Sequence, residues 1–130
     1  MLPMHGSVFL MKKSNIKIYI SCHKDCYVPR HPFLFPIQVG AALSEKKLPN
    51  MLYDNTGDNI SAKNRMYCEL TAQYWVWKND TDADYYGFWH YRRYMNFSDA
   101  ELPHNPFEDV ELEWLDDDSL KFLNLDENVM

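Results

Sequence analysis

The sequence contains few cysteines and no long apolar run. Its three cysteines are too few and too unevenly placed for the disulfide framework of a small secreted protein, so we expect a reducing, cytoplasmic environment. No stretch approaches the ~20 apolar residues of a membrane-spanning helix. The apolar residues 8–11 have no basic region before them, which argues against a signal peptide. Association with the inner face of the membrane stays open.

Basic residues are outnumbered, and the imbalance lies in one part of the chain. The sequence holds 13 Lys and Arg against 19 Asp and Glu, a formal net charge of −6. Residues 1–98 carry 12 basic and 8 acidic side chains, whereas residues 99–130 carry 1 and 11. Affinity for a nucleic-acid backbone comes from clustered Lys and Arg, so this balance argues against a nucleic-acid binder. A small phosphorylated ligand stays compatible with it.

The chain is short and shows neither an internal repeat nor a low-complexity tract. Its 130 residues allow one domain of ordinary size, and 46% hydrophobic with 25% charged residues is the composition of a folded globular protein. We expect residues 1–14 to form a leader outside the fold and residues 15–98 to form the main folded part. Residues 99–130 form, in our interpretation, an acidic connecting segment.

Two apolar segments predict strands of a buried sheet. Residues 16–20 are β-branched and aromatic, and residues 84–89 are apolar at both alternating positions, as in a strand covered on both sides. Three prolines in residues 23–36 disfavour regular structure there, and residues 36–40 suit a short extended piece. Apolar residues at three-or-four spacing predict a helix over residues 61–78. The pattern indicates an α/β fold with helices on both faces of a sheet.

The end of the second predicted strand carries the most chemistry. Strand alternation puts His90 and Arg92 on one face and Tyr91 and Arg93 on the other. Ligands of α/β sheets bind beyond the carboxyl ends of strands, and a guanidinium donates two parallel hydrogen bonds to a phosphate. The alternative is structural: an arginine pair bridged to the acidic segment, and a histidine satisfied within the fold.

The loop after the first predicted strand occupies the equivalent position. It begins with Cys22, His23 and Lys24 and includes several potential metal ligands. One Cys-x3-Cys pair without a second matching pair is a weak zinc signal. A loop that shapes a ligand pocket is the better interpretation.

A turn-rich segment, residues 54–61, precedes the predicted helix. Free N–H groups at a helix N-terminus attract anions, whereas Asp54 and Asp58 oppose a bare anion. Three alternatives stay open: sugar hydroxyls, a divalent ion between carboxylate and phosphate, and capping of the helix. Capping is the default for at least one of the two aspartates.

Two acidic clusters resemble metal-binding patterns. Residues 80–84 contain Asp-x-Asp twice, but they precede their strand and so lie at the wrong end of a sheet for a ligand site. Residues 116–118 are three aspartates with no strand before them. We interpret both clusters as solvated charge.

Six short blocks follow one another between residues 15 and 98. Together they resemble the N-terminal half of a bacterial family of capsular and exopolysaccharide biosynthesis glycosyltransferases, long catalogued as a domain of unknown function. The blocks are residues 18–24, 36–41, 54–61, 67–71 with Asn64 before it, 74–79 and 86–94.

The resemblance implies a GT-A-like, Rossmann-like α/β fold, here incomplete, whose nucleotide-sugar-binding sheet has flanking helices. It implies transfer of a sugar from a nucleotide sugar, with a UDP-sugar favoured, to a saccharide acceptor. His90, Arg92 and Arg93 would lie near the diphosphate as catalytic residues. The residues implied to line the nucleotide-sugar pocket are Cys22, His23, Lys24, Asp54, Asn55, Thr56, Gly57, Asp58, Asn59 and Asn64.

The sequence departs from the family in two ways. It has no well-placed Asp-x-Asp, so we assign no metal ligand, and a requirement for Mn or Mg stays open. Family members also continue into a C-terminal half, and we expect this chain to stop where that half begins. Two hypotheses follow: the donor-binding half of a glycosyltransferase, and a catalytically inactive fragment or non-catalytic interaction module of a polysaccharide assembly system.

Overall fold

Four short strands and two α-helices make up the part of the chain that the structure describes. The computed structural model describes residues 14–95. The predicted leader up to residue 13, the acidic segment 99–130 and the cluster 116–118 lie outside the described residues. The strands are β1 (Ile16–Cys22), β2 (Leu34–Gln38), β3 (Leu52–Tyr53) and β4 (Tyr85–His90), and the helices are α1 (Asn64–Tyr67) and α2 (Leu70–Asn79).

The four strands form one parallel sheet in the order β3-β2-β1-β4. β1 is central because its β-branched residues suit a strand buried on both faces, and Ile16, Ile18 and Ile20 are almost fully buried. The chain first builds the sheet outward from β1 through β2 and β3, and then returns to place β4 on the other side of β1. The α/β fold predicted from the sequence, a parallel sheet with flanking helices, is thereby confirmed.

β2 begins at Leu34, inside the segment where prolines predicted no regular structure. That prediction was wrong for a geometric reason. The Gln38 carbonyl points toward β3 and accepts from the Asp54 N–H. Because residues two apart in a strand point their backbone groups to the same side, the Pro36 nitrogen also points toward β3. β3 starts at Leu52 opposite Ile37, beyond Pro36, so the missing N–H removes no bond to β3.

The helix predicted over residues 61–78 is broken at Cys68. A 3₁₀ turn (Ser61–Lys63) leads into α1, and Cys68 then adopts φ 50° and ψ −132°, a conformation that L-residues rarely adopt. The Asn64 amide holds this bend by donating to the Cys68 carbonyl (2.7 Å) and to Thr71 Oγ1 (3.0 Å). Tertiary hydrogen bonds therefore override a helical pattern that the sequence carries without interruption.

The two faces of the sheet are covered differently. On one face Ala72 and Val76 of α2 pack against Tyr19 and Ile37. On the other, the strand residues meet the loop between β1 and β2, so in the described range a loop stands where a second helix was expected. That cluster contains Ile16, Ile18, Ile20, Cys22, Leu34, Leu48, Trp89 and Tyr91, with Cys26, Val28 and Phe33 of the loop packed against it.

β4 is less covered than its apolar sequence predicts. Tyr85 is 54% exposed and Phe88 is 36% exposed. Phe88 lies on the α2 face, where α2 packs mainly over β1 and β2, and Tyr85 lies on the opposite face beside Ile16. Within residues 14–95, no helix has the length and apolar character needed to cross a membrane.

The Asp-x-Asp cluster lies at the amino end of the sheet, as predicted. Lys17, at the start of β1, donates to Asp80 (3.0 Å) and to Asp82 (2.6 Å), and Tyr19 donates to Asp80. Burial acts to raise the pKa of Asp80, but the hydrogen bonds from Tyr19 and Lys17 outweigh it and hold that pKa well below its usual value. These carboxylates are used within the fold.

A fully buried carboxylate, Asp54, ties the carboxyl edge of the sheet together. One oxygen accepts from the N–H of Gly40 (2.8 Å) and from Thr71 Oγ1 (2.6 Å). The other accepts from the N–H of Ala41 (3.0 Å) and from Ser61 Oγ (2.5 Å). Four donors from three separate segments therefore converge on one side chain.

Substitution of Asp54 tests this hub. We expect Asp54→Asn to lower the free energy of unfolding by about 3 kcal/mol, because an NH₂ group replaces an oxygen that faces buried donors. The matched control is Asp58→Asn in the same loop, where the exposed carboxylate accepts from Tyr74 OH (2.9 Å). Urea denaturation followed by tryptophan fluorescence measures both, and equal losses would contradict a special role for Asp54.

Candidate functional site

The carboxyl ends of β1 and β4 lie side by side and bring two predicted loops together. Ser21 pairs with His90, and the Tyr91 N–H extends the ladder by donating to the Ser21 carbonyl (3.1 Å). The ring of His23, in the loop after β1, lies 6.1 Å from the ring of His90, centroid to centroid. The chain leaves β1 toward β2 on one side, and β4, which follows α2, pairs with β1 on the other side. Open α/β sheets bind ligands where the strand order reverses in this way.

The chain turns sharply after His90, which corrects the predicted alternation of residues 90–93. The Arg93 N–H donates to the His90 carbonyl (2.9 Å), and these two residues form an isolated antiparallel bridge. Arg92 therefore does not continue along the strand face that carries His90. Its guanidinium lies 5.4 Å from the centroid of the Tyr91 ring instead.

Tyr91 is the centre of the cluster. The ammonium of Lys24 lies 5.8 Å from the ring centroid, and the ring of His23 meets it edge-on at 5.1 Å. The ring of His90 lies 4.4 Å away at a tilt of 38°. Two permanent cations and two imidazoles thus surround one aromatic side chain, which is an arrangement suited to an anion.

The neighbours of His90 favour its neutral form and one of its two tautomers. Its Nδ1 accepts from the Arg92 N–H (3.3 Å), so the neutral ring carries its proton on Nε2. Burial lowers the pKa of His90, and the charge of Arg92 lowers it further, with smaller contributions from His23 and Arg93 and an opposing one from Glu69. The side chain is therefore suited to donate a hydrogen bond through Nε2.

The segment after Asp54 packs along α2. Trp75 Nε1 donates to Thr56 Oγ1 (2.9 Å), and the Asn79 amide donates to the Asp58 carbonyl (2.8 Å). Gly57 has φ 55°, and an added Cβ would lie 2.2 Å from Asn79 Oδ1. These contacts place the segment beside the half of α2 that leads to Asp80 at the amino edge.

A cleft opens beside the first-strand loop. Residues 25–32 line it together with residues 49–51, Leu34 and Pro36, and its volume is about 880 Å³. It lies on the sheet face opposite α2 and begins one residue after Lys24. The loop therefore lines a cavity, but Cys22, His23 and Lys24, which were predicted to line a pocket, are not among the lining residues.

Comparison with known proteins gives the chain a family. Residues 17–127 match the family described as a domain of unknown function, DUF4422. The chain belongs to the DUF4422 family. The matched range includes residues 99–127, so it extends into the predicted acidic segment. No curated protein matches the chain.

A solved structure is similar to this DUF4422 chain. It is the WbbM bifunctional glycosyltransferase in its apo form, at 42% sequence identity and a TM-score of 0.80. The similarity covers 88% of the chain described here but only 20% of WbbM, so the chain spans a fifth of that protein's length. The resemblance stated from the sequence blocks, to a glycosyltransferase-related family and its N-terminal part, is confirmed.

The structure divides the predicted site residues of the DUF4422 chain into two groups. His23, Lys24, His90 and Arg92 come together around Tyr91, with Arg93 at the adjoining turn. The second group has internal partners. Cys22 is a core thiol bonded to the Ile20 carbonyl, Asp54 is the hub, and residues 56–59 and Asn64 bond to their own loop or to the helices. Asn55 is exposed in the same loop.

Cys22, Asp54 and Asn64 therefore stabilise the fold, and they are not among the ligand contacts that we propose. The default interpretation, that at least one of the two aspartates caps the predicted helix, was wrong: neither the 3₁₀ turn nor α1 has a side-chain cap. Asn59 Oδ1 instead accepts from the Ser61 N–H (3.1 Å) within the turn-rich segment. Sequence reasoning missed Tyr91 as a site residue because strand alternation placed it on the face opposite His90. The aromatic residue between His90 and Arg92 was the available signal.

The donor set at the site does not resemble a divalent-metal site. Between residues 14 and 95, no three His, Cys, Asp or Glu side chains come together as metal ligands would. The groups around Tyr91 are cationic or aromatic, whereas Mg²⁺ and Mn²⁺ prefer oxygen ligands.

The lowered pKa of His90 predicts a pH dependence of stability. The unfolded chain binds a proton at this histidine at higher pH than the folded chain does, so stability is full above the unfolded pKa and falls as the pH drops through it. We expect the free energy of unfolding of the wild type to fall relative to that of His90→Asn between about pH 7.5 and pH 5.5. Urea denaturation across this range measures the difference, and parallel curves would contradict it.

Proposed function

We propose that this chain is the nucleotide-sugar-binding part of a glycosyltransferase. A UDP-sugar is the donor to test first, the acceptor is a saccharide, and the setting is synthesis of a capsular or exopolysaccharide. The convergence of Lys24, Arg92, His23 and His90 around Tyr91 carries the proposal. WbbM, the similar structure, is described as a bifunctional glycosyltransferase, and its name supports the reaction class.

The charge of the cluster suits a diphosphate. No salt bridge within residues 14–95 joins Lys24 or Arg92 to a carboxylate, whereas Lys17 is paired with aspartates at the amino end of the sheet. Their donors are therefore not neutralised by a carboxylate of the described chain. Arg92 offers a planar fork for two phosphate oxygens, and Lys24 offers a point charge beside it.

The same groups suit the chemistry of sugar transfer. When the bond between the anomeric carbon and the donor's terminal phosphate oxygen breaks, both bonding electrons stay with the diphosphate. Cations fixed beside that oxygen stabilise the leaving group more than they stabilise the bound donor. His90, neutral and protonated on Nε2, adds a hydrogen bond without adding a charge.

Location supports a donor site more than an acceptor site. The cluster lies beyond the carboxyl ends of β1 and β4, where nucleotides bind in open α/β sheets. The cleft lined by residues 25–32 begins beside Lys24 and has room for a further group. We propose a cytoplasmic setting, with association at the inner face of the membrane as the further hypothesis to test.

A titration with UDP tests the proposal. We expect UDP to raise the melting temperature of the purified chain, because a ligand that binds only the folded state stabilises it. Arg92→Ala should weaken UDP binding by about 10- to 100-fold, the effect of losing charge-assisted hydrogen bonds. The control is Lys78→Ala, which removes an exposed cation at the far end of α2, where Lys78 lies over the Trp77 ring.

Two results would overturn this function. One is a folded wild-type chain whose melting temperature does not respond to UDP, UDP-sugars or other nucleoside diphosphates, with or without Mn²⁺. The other is equal weakening by Arg92→Ala and Lys78→Ala, which would indicate nonspecific attraction of an anion to positive charge. Isothermal titration calorimetry of the three proteins separates these cases.

A second candidate function rests on an exposed apolar stripe. Met66, Leu70 and Trp77, which we call the outer stripe, are 80%, 50% and 68% exposed. Apolar side chains exposed together on one surface often mark a site of interaction with another protein. It favours the alternative that the chain is a non-catalytic interaction module of a polysaccharide assembly system.

Self-association is the first measurement for that alternative. We expect light scattering to detect oligomers of the wild type, and Leu70→Ser with Trp77→Ser to reduce them, because the changes remove apolar area from the outer stripe. The control is Tyr27→Ser, which changes an aromatic residue, 51% exposed, away from the stripe. A monodisperse wild-type monomer would count against this function.

A further inference from the structure

We propose that Tyr91 is a positioning residue whose ring holds Lys24 and Arg92 in place to receive one diphosphate. This inference rests on the proposed function and assigns to its site a residue that the sequence analysis did not include there. Tyr91 lies between the two histidines and the two cations, and contacts all four groups. It would act through those groups, without taking part in the reaction.

Tyr91 is suited to this role because it is fixed. Only 7% of the residue is exposed, and it belongs to the core cluster that includes Ile20, Cys22 and Trp89. Its backbone N–H donates to the Ser21 carbonyl, which joins it to the central strand β1. The ring is therefore part of the rigid sheet, while Lys24 and Arg92 are exposed side chains with many rotamers of their own.

An aromatic ring solves a problem that a carboxylate would create. Lys24 and Arg92 repel each other, so some attraction has to keep both near one point. A carboxylate between them would neutralise their charge and use their N–H donors. The face of an aromatic ring attracts cations through its quadrupole and leaves their donors available for a ligand.

The geometry indicates what ligand this site prefers. Lys24 and Arg92 approach the ring at 5.8 Å and 5.4 Å, and the two imidazoles lie against the same ring. Several donors at separate positions match an anion with several oxygens spread over two phosphoryl groups better than a single phosphate. We therefore expect pyrophosphate and UDP to bind more tightly than inorganic phosphate and UMP.

The decisive experiment changes the ring's electrostatics while keeping its shape. In Tyr91→pentafluorophenylalanine the ring keeps a similar size, but its quadrupole is reversed, so the face repels cations. We expect affinity for pyrophosphate and UDP to fall by about 10-fold, consistent with the loss of cation–π attraction at partly desolvated cations. Tyr91→Phe should stay within about 2-fold of the wild type, because it keeps a ring with a negative face.

A double-mutant cycle separates positioning from packing. Lys24→Met should weaken pyrophosphate binding in the wild type and have a much smaller effect in Tyr91→pentafluorophenylalanine, where Lys24 is no longer held. A purely structural role of Tyr91 would leave the effect of Lys24→Met the same in both backgrounds. Urea denaturation of each variant shows whether the fold is intact, and Tyr91→Phe provides the comparison if the fluorinated ring destabilises the core.

The outcomes distinguish this inference from the proposed function. If the wild type binds neither pyrophosphate nor UDP, the proposed function fails and the role of Tyr91 fails with it. If the wild type binds both probes and the fluorinated variant binds them equally well, the positioning role alone is overturned. Weakened binding in the fluorinated variant, near-normal binding in Tyr91→Phe and a smaller effect of Lys24→Met would together support it.

Discussion

The rest of the structure depends on one buried carboxylate, that of Asp54. It ends β3 and accepts hydrogen bonds from the backbone after β2, from the 3₁₀ turn at Ser61 and from Thr71 at the start of α2. A buried charge is stable only when its hydrogen-bonding capacity is used, so these segments have to meet at one place. The bend at Cys68 follows from this requirement, because it allows Thr71 to reach the hub while Asn64 packs beside Gly40.

Asp54 joins the segments that follow β2 and β3, whereas the candidate site lies at the carboxyl ends of β1 and β4. Parallel pairing of β1 and β4 brings His23 and Lys24 next to residues 90–92, although these segments are distant in sequence. The turn after His90 then lays Arg92 over Tyr91. At the amino end of the sheet, by contrast, Lys17, Tyr19 and Tyr86 donate hydrogen bonds to the aspartates. In the described residues, the cations around Tyr91 thus lie at the opposite end of the sheet from the ion pairs of Lys17.

Local pattern predicted the elements whose stability is local or comes from simple burial. The predicted strands 16–20 and 84–89 match β1 and β4 to within two residues at each end. Runs of β-branched and aromatic residues favour a strand because they pack well in a sheet. The amino-edge position of the Asp-x-Asp cluster also followed from chain order alone. The misassigned elements, β2 with Pro36 and the broken helix, were decided by where a neighbouring strand ends and by which side chains reach Asp54.

The sequence by itself determined the family, the α/β class and the residue types available for anion binding, because these depend on composition, order and short motifs. Only the tertiary structure decided which of those residues meet. Asp54 and Cys22 turned inward because burial and hydrogen-bond partners, invisible in the chain order, satisfied them. Tyr91 became the centre of the site because the turn from His90 to Arg93 ended the strand alternation after Tyr91 and brought Arg92 to its ring.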